Sequence, residues 1–168
     1  MDELRRHLLA RRMKTEKPIK RLEAEFTAIL KPLGFSKRGK HWARATAQCF
    51  CLVNLQKSDF GDQFYVNLGA FVKQLDPQAT APLEHHCHYR IRLTRVVPDR
   101  AALERCLDFE NEVGEEERFK TINSALRDYG VGWLKSVETL EGIRERLIKG
   151  ADKGAAVTLS LKTLLGVA

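Results

Sequence analysis

Residues 84–92, which read EHHCHYRIR, combine side-chain types that bind metals, act as nucleophiles and hold anions. Three histidines and a cysteine occupy positions 85–88, and arginines follow at positions 90 and 92. Zinc takes about four nitrogen or sulfur ligands in a tetrahedron, whereas a catalytic cysteine needs an exposed thiolate beside a base. Neighbouring guanidinium groups suit a carboxylate or a phosphate. Which of these chemistries is possible depends on the direction in which each side chain points.

The direction follows from secondary structure, and residues 41–94 are typical of β-strands. The predicted strands are HWARATA, QCFCLVNLQ, QFYVNLGAFV and HCHYRIRLT. The segment DFGD forms a turn between the second and third strands, and a longer loop with two prolines precedes the fourth. Short connections favour an antiparallel meander, so we expect a sheet of about four strands.

Neighbouring side chains of a strand point to opposite faces of a sheet, so each strand divides into two sets. One predicted face is apolar and includes Cys49, Cys51 and Cys87. The other face gathers the polar side chains Asn54, Gln56, Tyr65, Asn67, His88, Arg90 and Arg92. We predict that these seven residues form a ligand-binding surface for a carboxylate or phosphate group. The alternative is an exposed antiparallel face that is polar only because it meets water.

The same alternation argues against a metal site. Cys87 and His88 diverge if both are strand residues, and a free cysteine on an apolar face behaves as a small hydrophobic residue. A site built from Cys49, Cys51, His85 and Cys87 would require the second and fourth strands to be adjacent, whereas a meander places the third between them. We therefore predict no metal ligands and no cofactor.

Catalytic motifs are also missing from the sequence, which lacks the G-x-S-x-G, P-loop, H-E-x-x-H and G-x-G-x-x-G patterns. Cys87 adjoins His86 and His88 only along the chain, which is the wrong geometry for a nucleophile and its base. We predict no catalytic residues, and an enzyme of unknown reaction remains the second alternative.

Helical periodicity flanks the predicted strands. A helix is expected over residues 15–34, with Thr15 as its cap, Pro18 in its first turn and Gly34 at its end. The basic segment that precedes it, MDELRRHLLARRMK, is expected to be a surface helix. Residues 99–168 are expected to be mainly helical. We therefore predict a single α+β domain over residues 1–168, with the N-terminal and C-terminal helices packed on one face of the antiparallel sheet.

The charge of the chain is concentrated at its start. Residues 1–48 hold 13 Lys and Arg against 5 Asp and Glu, whereas residues 99–168 hold 11 against 13. This asymmetry is compatible with binding to nucleic acid through the N-terminal third, or with a solvated helical face. The apolar stretches are too short for a membrane span, and four cysteines without an export signal predict reduced thiols in a cytoplasm.

Three ordered pieces of the sequence resemble a known family: LKPLGFSKRGKHWAR, NLQKSDFGDQFYVNLGAF and CHYRIRL. They are similar to the mostly bacterial family catalogued as domain of unknown function 4304, over about residues 20–98. The segment GVGWLKSVETLEGI resembles that family's C-terminal helical part. The matched residues are Gly34, Phe35, Gln56, Lys57, Ser58, Asn67, Leu68, Gly69, Cys87, Arg90 and Arg92. The resemblance implies a compact α+β domain in a bacterial cytoplasmic protein, and it implies no reaction.

Together these observations predict a non-enzymatic binding module. Its polar sheet face would engage an acidic protein, a peptide or a small anion, and an immunity-type protein fits by analogy. Nucleic-acid binding through the basic N-terminal third is the first alternative. No membrane partner is expected.

Overall fold

The computed structural model describes residues 2–168, apart from the side chains at position 2 and positions 7–17. The helices are α1 (Asp2–Leu30), α2 (Arg100–Leu107), α3 (Glu115–Ala125), α4 (Val131–Ser136), α5 (Leu140–Lys149) and α6 (Leu159–Leu165). The strands are β1 (Ser36–Arg38), β2 (His41–Ala45), β3 (Cys49–Lys57), β4 (Phe64–Val72), β5 (Tyr89–Arg92) and β6 (Ala156–Val157). The predicted α+β class is confirmed. Within residues 2–168 no helix has both the length and the apolar character needed to cross a membrane.

The sheet is an antiparallel meander in the order β1-β2-β3-β4-β5-β6. The expected number of about four strands is too low, because one short strand is added at each edge of the sheet, β1 at one and β6 at the other. The segment KRGKH contains the hairpin turn between β1 and β2, with Gly39 at a φ of 59°. Strand β6 pairs with β5 through Tyr89 and Val157. That pairing joins distant parts of the chain and leaves no local pattern in the sequence.

One face of the sheet carries the main core, as predicted. Cys49, Cys51, Val53 and Leu55 of β3 are all buried on this face, which packs against the helices. From α1, Leu22, Phe26 and Leu30 are fully buried against it, and Phe26 lies 5.6 Å from the Trp42 ring centroid. All four cysteines are unpaired and buried.

The predicted start of the first helix at Thr15 is wrong, because α1 begins at Asp2 and runs through Pro18. A proline inside a helix removes one backbone hydrogen bond, but its fixed φ is compatible with helical backbone. Strong helix formers on both sides favour continuation. The predicted N-terminal surface helix is therefore part of α1, although its side chains at positions 7–17 lie outside the described residues. Gly34, at a φ of 88°, ends the turn that follows α1.

The opposite face of the sheet is partly covered by the connection between β4 and β5. Leu52, Phe71 and Cys87 form a second buried cluster there. The prediction that Cys87 faces the main core with Tyr89 and Ile91 is therefore wrong. A 3₁₀ turn over Glu84–His86 precedes Cys87, and β5 begins only at Tyr89, so strand alternation does not extend back to the cysteine.

The buried carboxylate of Asp152 ties the edge of the sheet to the C-terminal helices. Its oxygens accept hydrogen bonds from Tyr89 Oη of β5, from Trp133 Nε1 of α4 at 3.1 Å, and from Arg146 of α5. Arg146 binds with two nitrogens, at 2.7 and 2.6 Å, and the Asp152 side chain is 4% exposed. Burial opposes the charge, but the hydrogen bonds from Arg146, Tyr89 and Trp133 outweigh it and hold the pKa of Asp152 below its ordinary value.

We predict that Asp152→Asn lowers the free energy of unfolding by about 3 kcal/mol at neutral pH, because it leaves a partly buried Arg146 without its carboxylate. A carboxyl group whose pKa is lower in the folded than in the unfolded protein stabilises the fold at pH values above its unfolded-state pKa. This stabilisation is lost as the pH falls through the folded-state pKa. The difference between the two proteins should therefore shrink in strong acid. Urea denaturation at about pH 7 and about pH 3 measures both effects.

The control variant is Tyr89→Phe, which removes one hydrogen bond and leaves Arg146 paired with Asp152. Its expected cost is about 1 kcal/mol. Equal costs for the two variants would show that the ion pair adds nothing to the hydrogen bond from tyrosine.

Candidate anion-binding cleft

A concave cleft of about 400 Å³ opens at the β5 edge of the sheet, on the face turned away from α1. Four arginines line it: Arg90, Arg92, Arg95 and Arg100. The carboxylates of Glu84 and Glu104 are the acidic groups on its wall, so the lining side chains carry a formal charge of about +2. The amides of Gln56 and Asn67 also line the cleft.

The arginines reach the cleft from three consecutive elements. Arg90 and Arg92 alternate with Tyr89 and Ile91 on β5, so the strand points its apolar side chains to the core and its arginines outward. A 3₁₀ turn over Leu93–Arg95 then turns the chain and carries Arg95. Arg100 is the first residue of α2, whose N-terminus is capped by the Asp99 carboxylate. Gly154 and Ala156 also line the cleft: Gly154 lies against the Arg95 guanidinium, and Ala156 pairs with Arg90 across β5 and β6.

Arg92 is held by the ring of Tyr65. The guanidinium carbon lies 4.1 Å from the ring centroid, a cation–π contact, and the tyrosine hydroxyl donates to Gln63 Oε1 at 3.2 Å. Stacking fixes the plane of the guanidinium and leaves its N–H groups available at the edge. Tyr65 therefore positions Arg92 from β4.

Beneath the arginines, three amides form a hydrogen-bonded floor. Asn54 and Asn67 lie opposite each other on β3 and β4, and Asn67 lies opposite Arg92 on β5. The Asn67 amide nitrogen donates to Asn54 Oδ1 at 3.1 Å and to Gln56 Oε1 at 3.0 Å, and Asn54 Nδ2 donates to the Lys40 carbonyl oxygen at 3.3 Å. Asn54 is therefore buried below the cleft and supports Asn67, which lines it.

Glu84 is one of the two carboxylates that line the cleft. Its side chain is 13% exposed, and its Oε1 lies 4.0 Å from Arg90 Nη1. That distance is too long for a hydrogen bond. Burial raises the pKa of Glu84, and the charges of Arg90, His85 and Arg92 offset this only in part.

The other two arginines differ in their pairing. Arg100 Nε donates to Glu104 Oε1 at 2.5 Å within α2. Across residues 2–168, with the side-chain gaps given above, Arg95 forms no hydrogen bond and no ion pair; its guanidinium packs beside Gly154. Gly154 has a φ of 80°, and a Cβ at this position would come 3.4 Å from the guanidinium carbon. Arg95 is thus a charge held at the cleft that no carboxylate neutralises.

His88 lies away from the cleft, on the same face of the sheet. Its Nδ1 accepts a hydrogen bond from the Val72 backbone at 3.0 Å, and its ring packs 4.6 Å from that of Phe71. Burial lowers the pKa of His88, which favours the neutral ring that accepts this bond. His88 therefore belongs to the small apolar cluster of this face.

The structure thus brings four of the seven predicted site residues into the cleft: Gln56, Asn67, Arg90 and Arg92. Sequence alternation missed Glu84, Arg95, Arg100 and Glu104, because turns and a helix carry them. One signal was available, since residues 90–100 contain four arginines and a single acidic residue. Among the described side chains, no three His, Cys, Asp or Glu residues are grouped as metal ligands.

Gly69 of β4 allows the turn with Glu84 to lie close to the sheet. A Cβ at this position would come 2.7 Å from Cys87 Sγ and 3.0 Å from its Cβ. We predict that Gly69→Ala costs about 1–3 kcal/mol of unfolding free energy, because a buried overpacked contact must move.

A double-mutant cycle with Cys87→Ala tests the cause by urea denaturation. Removing the sulfur relieves the closest contact, so the double variant should lose less stability than the sum of the single variants. If the losses of unfolding free energy in the two single variants simply add in the double variant, Cys87 is not the residue for which Gly69 makes room.

Comparisons with known proteins identify a family. Searches of the curated proteins and of the solved structures found no match for the chain. A protein-family model described as Domain of unknown function (DUF4304) matches residues 26–136, which is more than half of the chain. The matched range contains every arginine, glutamate and amide of the cleft, whereas Gly154 and Ala156 follow it. The chain belongs to the DUF4304 family.

Proposed function

We propose that this protein is a non-enzymatic binding module whose cleft holds the anionic group of a small ligand. The observation that carries the proposal is Arg95, a guanidinium at a concave site with no carboxylate partner among the described residues. Three further arginines line the same cleft, against two glutamates.

Four guanidinium groups share the cleft with two carboxylates. Like charges repel one another, and water and salt reduce this repulsion at the surface. Arg95 offsets none of this through an ion pair of its own. An oxyanion would relieve the repulsion, because each charge-assisted hydrogen bond contributes about 1.5–3 kcal/mol.

The shape of the cleft favours a small ligand over a protein partner. A volume of about 400 Å³ falls within the roughly 300–1,000 Å³ of small-molecule sites. The turn carrying Glu84 and the segment carrying Gly154 both line this cleft. An acidic protein or peptide remains the alternative partner, and it could reach the exposed arginines Arg92, Arg95 and Arg100.

The cysteines support binding over nucleophilic catalysis. A reactive cysteine needs an accessible thiolate, whereas burial raises the pKa of Cys51 to about 11 and that of Cys49 to about 12. Burial likewise raises the pKa of Cys87. Four unpaired cysteines are compatible with a reducing compartment such as a bacterial cytoplasm, which we include in the proposal.

We predict that Arg95→Gln weakens the binding of inorganic phosphate and of sulfate at least about tenfold, because each loses a charge-assisted hydrogen bond. Calorimetric titration at constant ionic strength measures both affinities. Since Arg95 has no partner in the described structure, its replacement should leave the thermal unfolding midpoint nearly unchanged.

The matched control is Arg127→Gln, which removes the same charge from an exposed position outside the cleft. It should bind both anions as the wild type does. Equal affinities in wild type, Arg95→Gln and Arg127→Gln would contradict the proposal, and so would wild-type protein that binds neither anion.

Nucleic-acid binding stays the alternative, and a salt titration with single-stranded and duplex oligonucleotides separates it from the proposal. Contacts to phosphates give an affinity that falls steeply with salt. Salt-dependent binding that Arg95→Gln does not weaken would favour the basic N-terminal third over the cleft.

A further inference from the structure

The carboxylate of Glu84 lies in a cleft whose four arginines attract anions. Glu84 is mostly buried, and its nearest cationic nitrogen, Arg90 Nη1, is 4.0 Å away. Across the described residues, neither oxygen of this side chain accepts a hydrogen bond. Glu84 therefore offers unused acceptor atoms at the place where a bound anion would lie.

The position of Glu84 is fixed by the backbone around it. The Cys87 N–H donates to the Glu84 carbonyl oxygen at 2.9 Å, and the His86 N–H donates to the Leu83 carbonyl oxygen at 3.0 Å. The turn rests on Gly69, where an added Cβ would lie 3.7 Å from Glu84 Cγ. These contacts hold the backbone of the turn, so the Glu84 side chain extends from a defined point beside the cleft.

A fixed acceptor discriminates between anions by their protons. A fully deprotonated oxyanion meets the Glu84 oxygens with its own lone pairs, which costs free energy in a partly desolvated site. An oxyanion that carries an O–H group donates a hydrogen bond to the same carboxylate. Sites that bind a hydroxyl through a buried polar group reject the analogue without it.

We propose that Glu84 makes the cleft selective for a phosphoryl group that retains a proton, as in hydrogen phosphate or the monoanion of a phosphomonoester. This inference rests on the proposed anion-binding function. The P–OH group donates to a Glu84 carboxylate oxygen, and the unprotonated oxygens accept from Arg90 and Arg95. No covalent bond is formed or broken.

Two properties of the site support this assignment. Burial raises the pKa of Glu84, which makes its carboxylate a stronger acceptor for a shared proton. The cleft volume of about 400 Å³ also leaves room beyond a bare phosphate, and this space suits the organic part of a small phosphomonoester.

Hydrogen phosphate and sulfate provide the matched test, because at about pH 7.5 both are tetrahedral dianions and only phosphate carries a proton. Calorimetric titration of the wild type at constant ionic strength should show phosphate binding at least about tenfold tighter than sulfate. Glu84→Gln supplies an amide that donates to either anion, so the preference should fall to less than about threefold.

Glu104→Gln is the matched control, since this second carboxylate of the cleft is already paired with Arg100. It should strengthen the binding of both anions by similar factors and keep their ratio. The phosphate-to-sulfate ratio of the wild type needs no variant, so the test holds even if Glu84→Gln unfolds.

Methyl phosphate and methyl sulfate distinguish the source of the phosphoryl group. At about pH 6, roughly half of methyl phosphate is a monoanion with a P–OH group, whereas methyl sulfate is a monoanion without one. Tighter binding of methyl phosphate supports a phosphomonoester as ligand. Equal binding of the two esters, with inorganic phosphate still preferred over sulfate, supports free phosphate.

Two outcomes overturn the inference in distinguishable ways. If the wild type binds sulfate as tightly as phosphate, the proposed role of Glu84 is wrong, while the anion-binding function stands. Wild-type protein that binds neither anion removes the proposed function, and the inference with it.

Discussion

The Asp152 carboxylate is the interaction on which the cleft end of the molecule depends. It accepts hydrogen bonds from β5, α4 and α5 through Tyr89, Trp133 and Arg146. A buried charge is tolerated only when it is paired and hydrogen-bonded, and here Arg146 supplies the pairing while Tyr89 and Trp133 add hydrogen bonds. The same contact holds the segment that follows α5, so that Gly154 lies against Arg95. The Asp152 carboxylate therefore both stabilises this edge of the sheet and helps to form the cleft.

Strand β5 connects this buried network to the surface. Tyr89 points inward to Asp152, and Arg90, the next residue, points outward into the cleft. A change that displaces the Tyr89 hydroxyl would therefore also displace the neighbouring guanidinium. The buried core side of the strand holds the backbone at Arg90 and Arg92 in place, which would lower the entropy lost in binding the proposed anion.

Strand alternation predicted the outward direction of Arg90, Arg92, Asn67 and Gln56, because those residues lie inside regular β5, β4 and β3. It failed at Cys87, where a 3₁₀ turn replaces the expected strand. Alternation also could not find Arg95, since that residue enters the cleft from a turn beyond the strand.

Elements that depend on distant contacts escaped prediction for a related reason. Strand β6 is two residues long and exists through its pairing with β5, so no local pattern marks it. The start of α1 was misplaced because Pro18 is a strong signal for a first turn and a weak barrier to a helix already formed. Conversely, the α+β class required only the order of helical and strand periodicities, and it was predictable.

Two buried or half-buried arginines of the described structure contrast with Arg95. Arg118 and Arg146 are bound internally, the first to the carbonyl oxygens of Cys106 and Asp108 and the second to Asp152. Their hydrogen bonds are satisfied within the fold, and an external anion would have to break them. Arg95 has no such bond among the described residues, and it faces a concave space where a ligand can lie. This difference is the basis of our proposal that the cleft binds an anion.

Nuclear magnetic resonance of the arginine Nε–Hε groups tests that distinction most directly. During a titration with inorganic phosphate at constant ionic strength, the signals of Arg90 and Arg95 should shift saturably with one shared dissociation constant. The signals of Arg118 and Arg146 should stay in place, because their partners lie inside the protein. Saturable shifts confined to the arginines of α1, or shifts of Arg95 that never saturate, would contradict an anion site in the cleft.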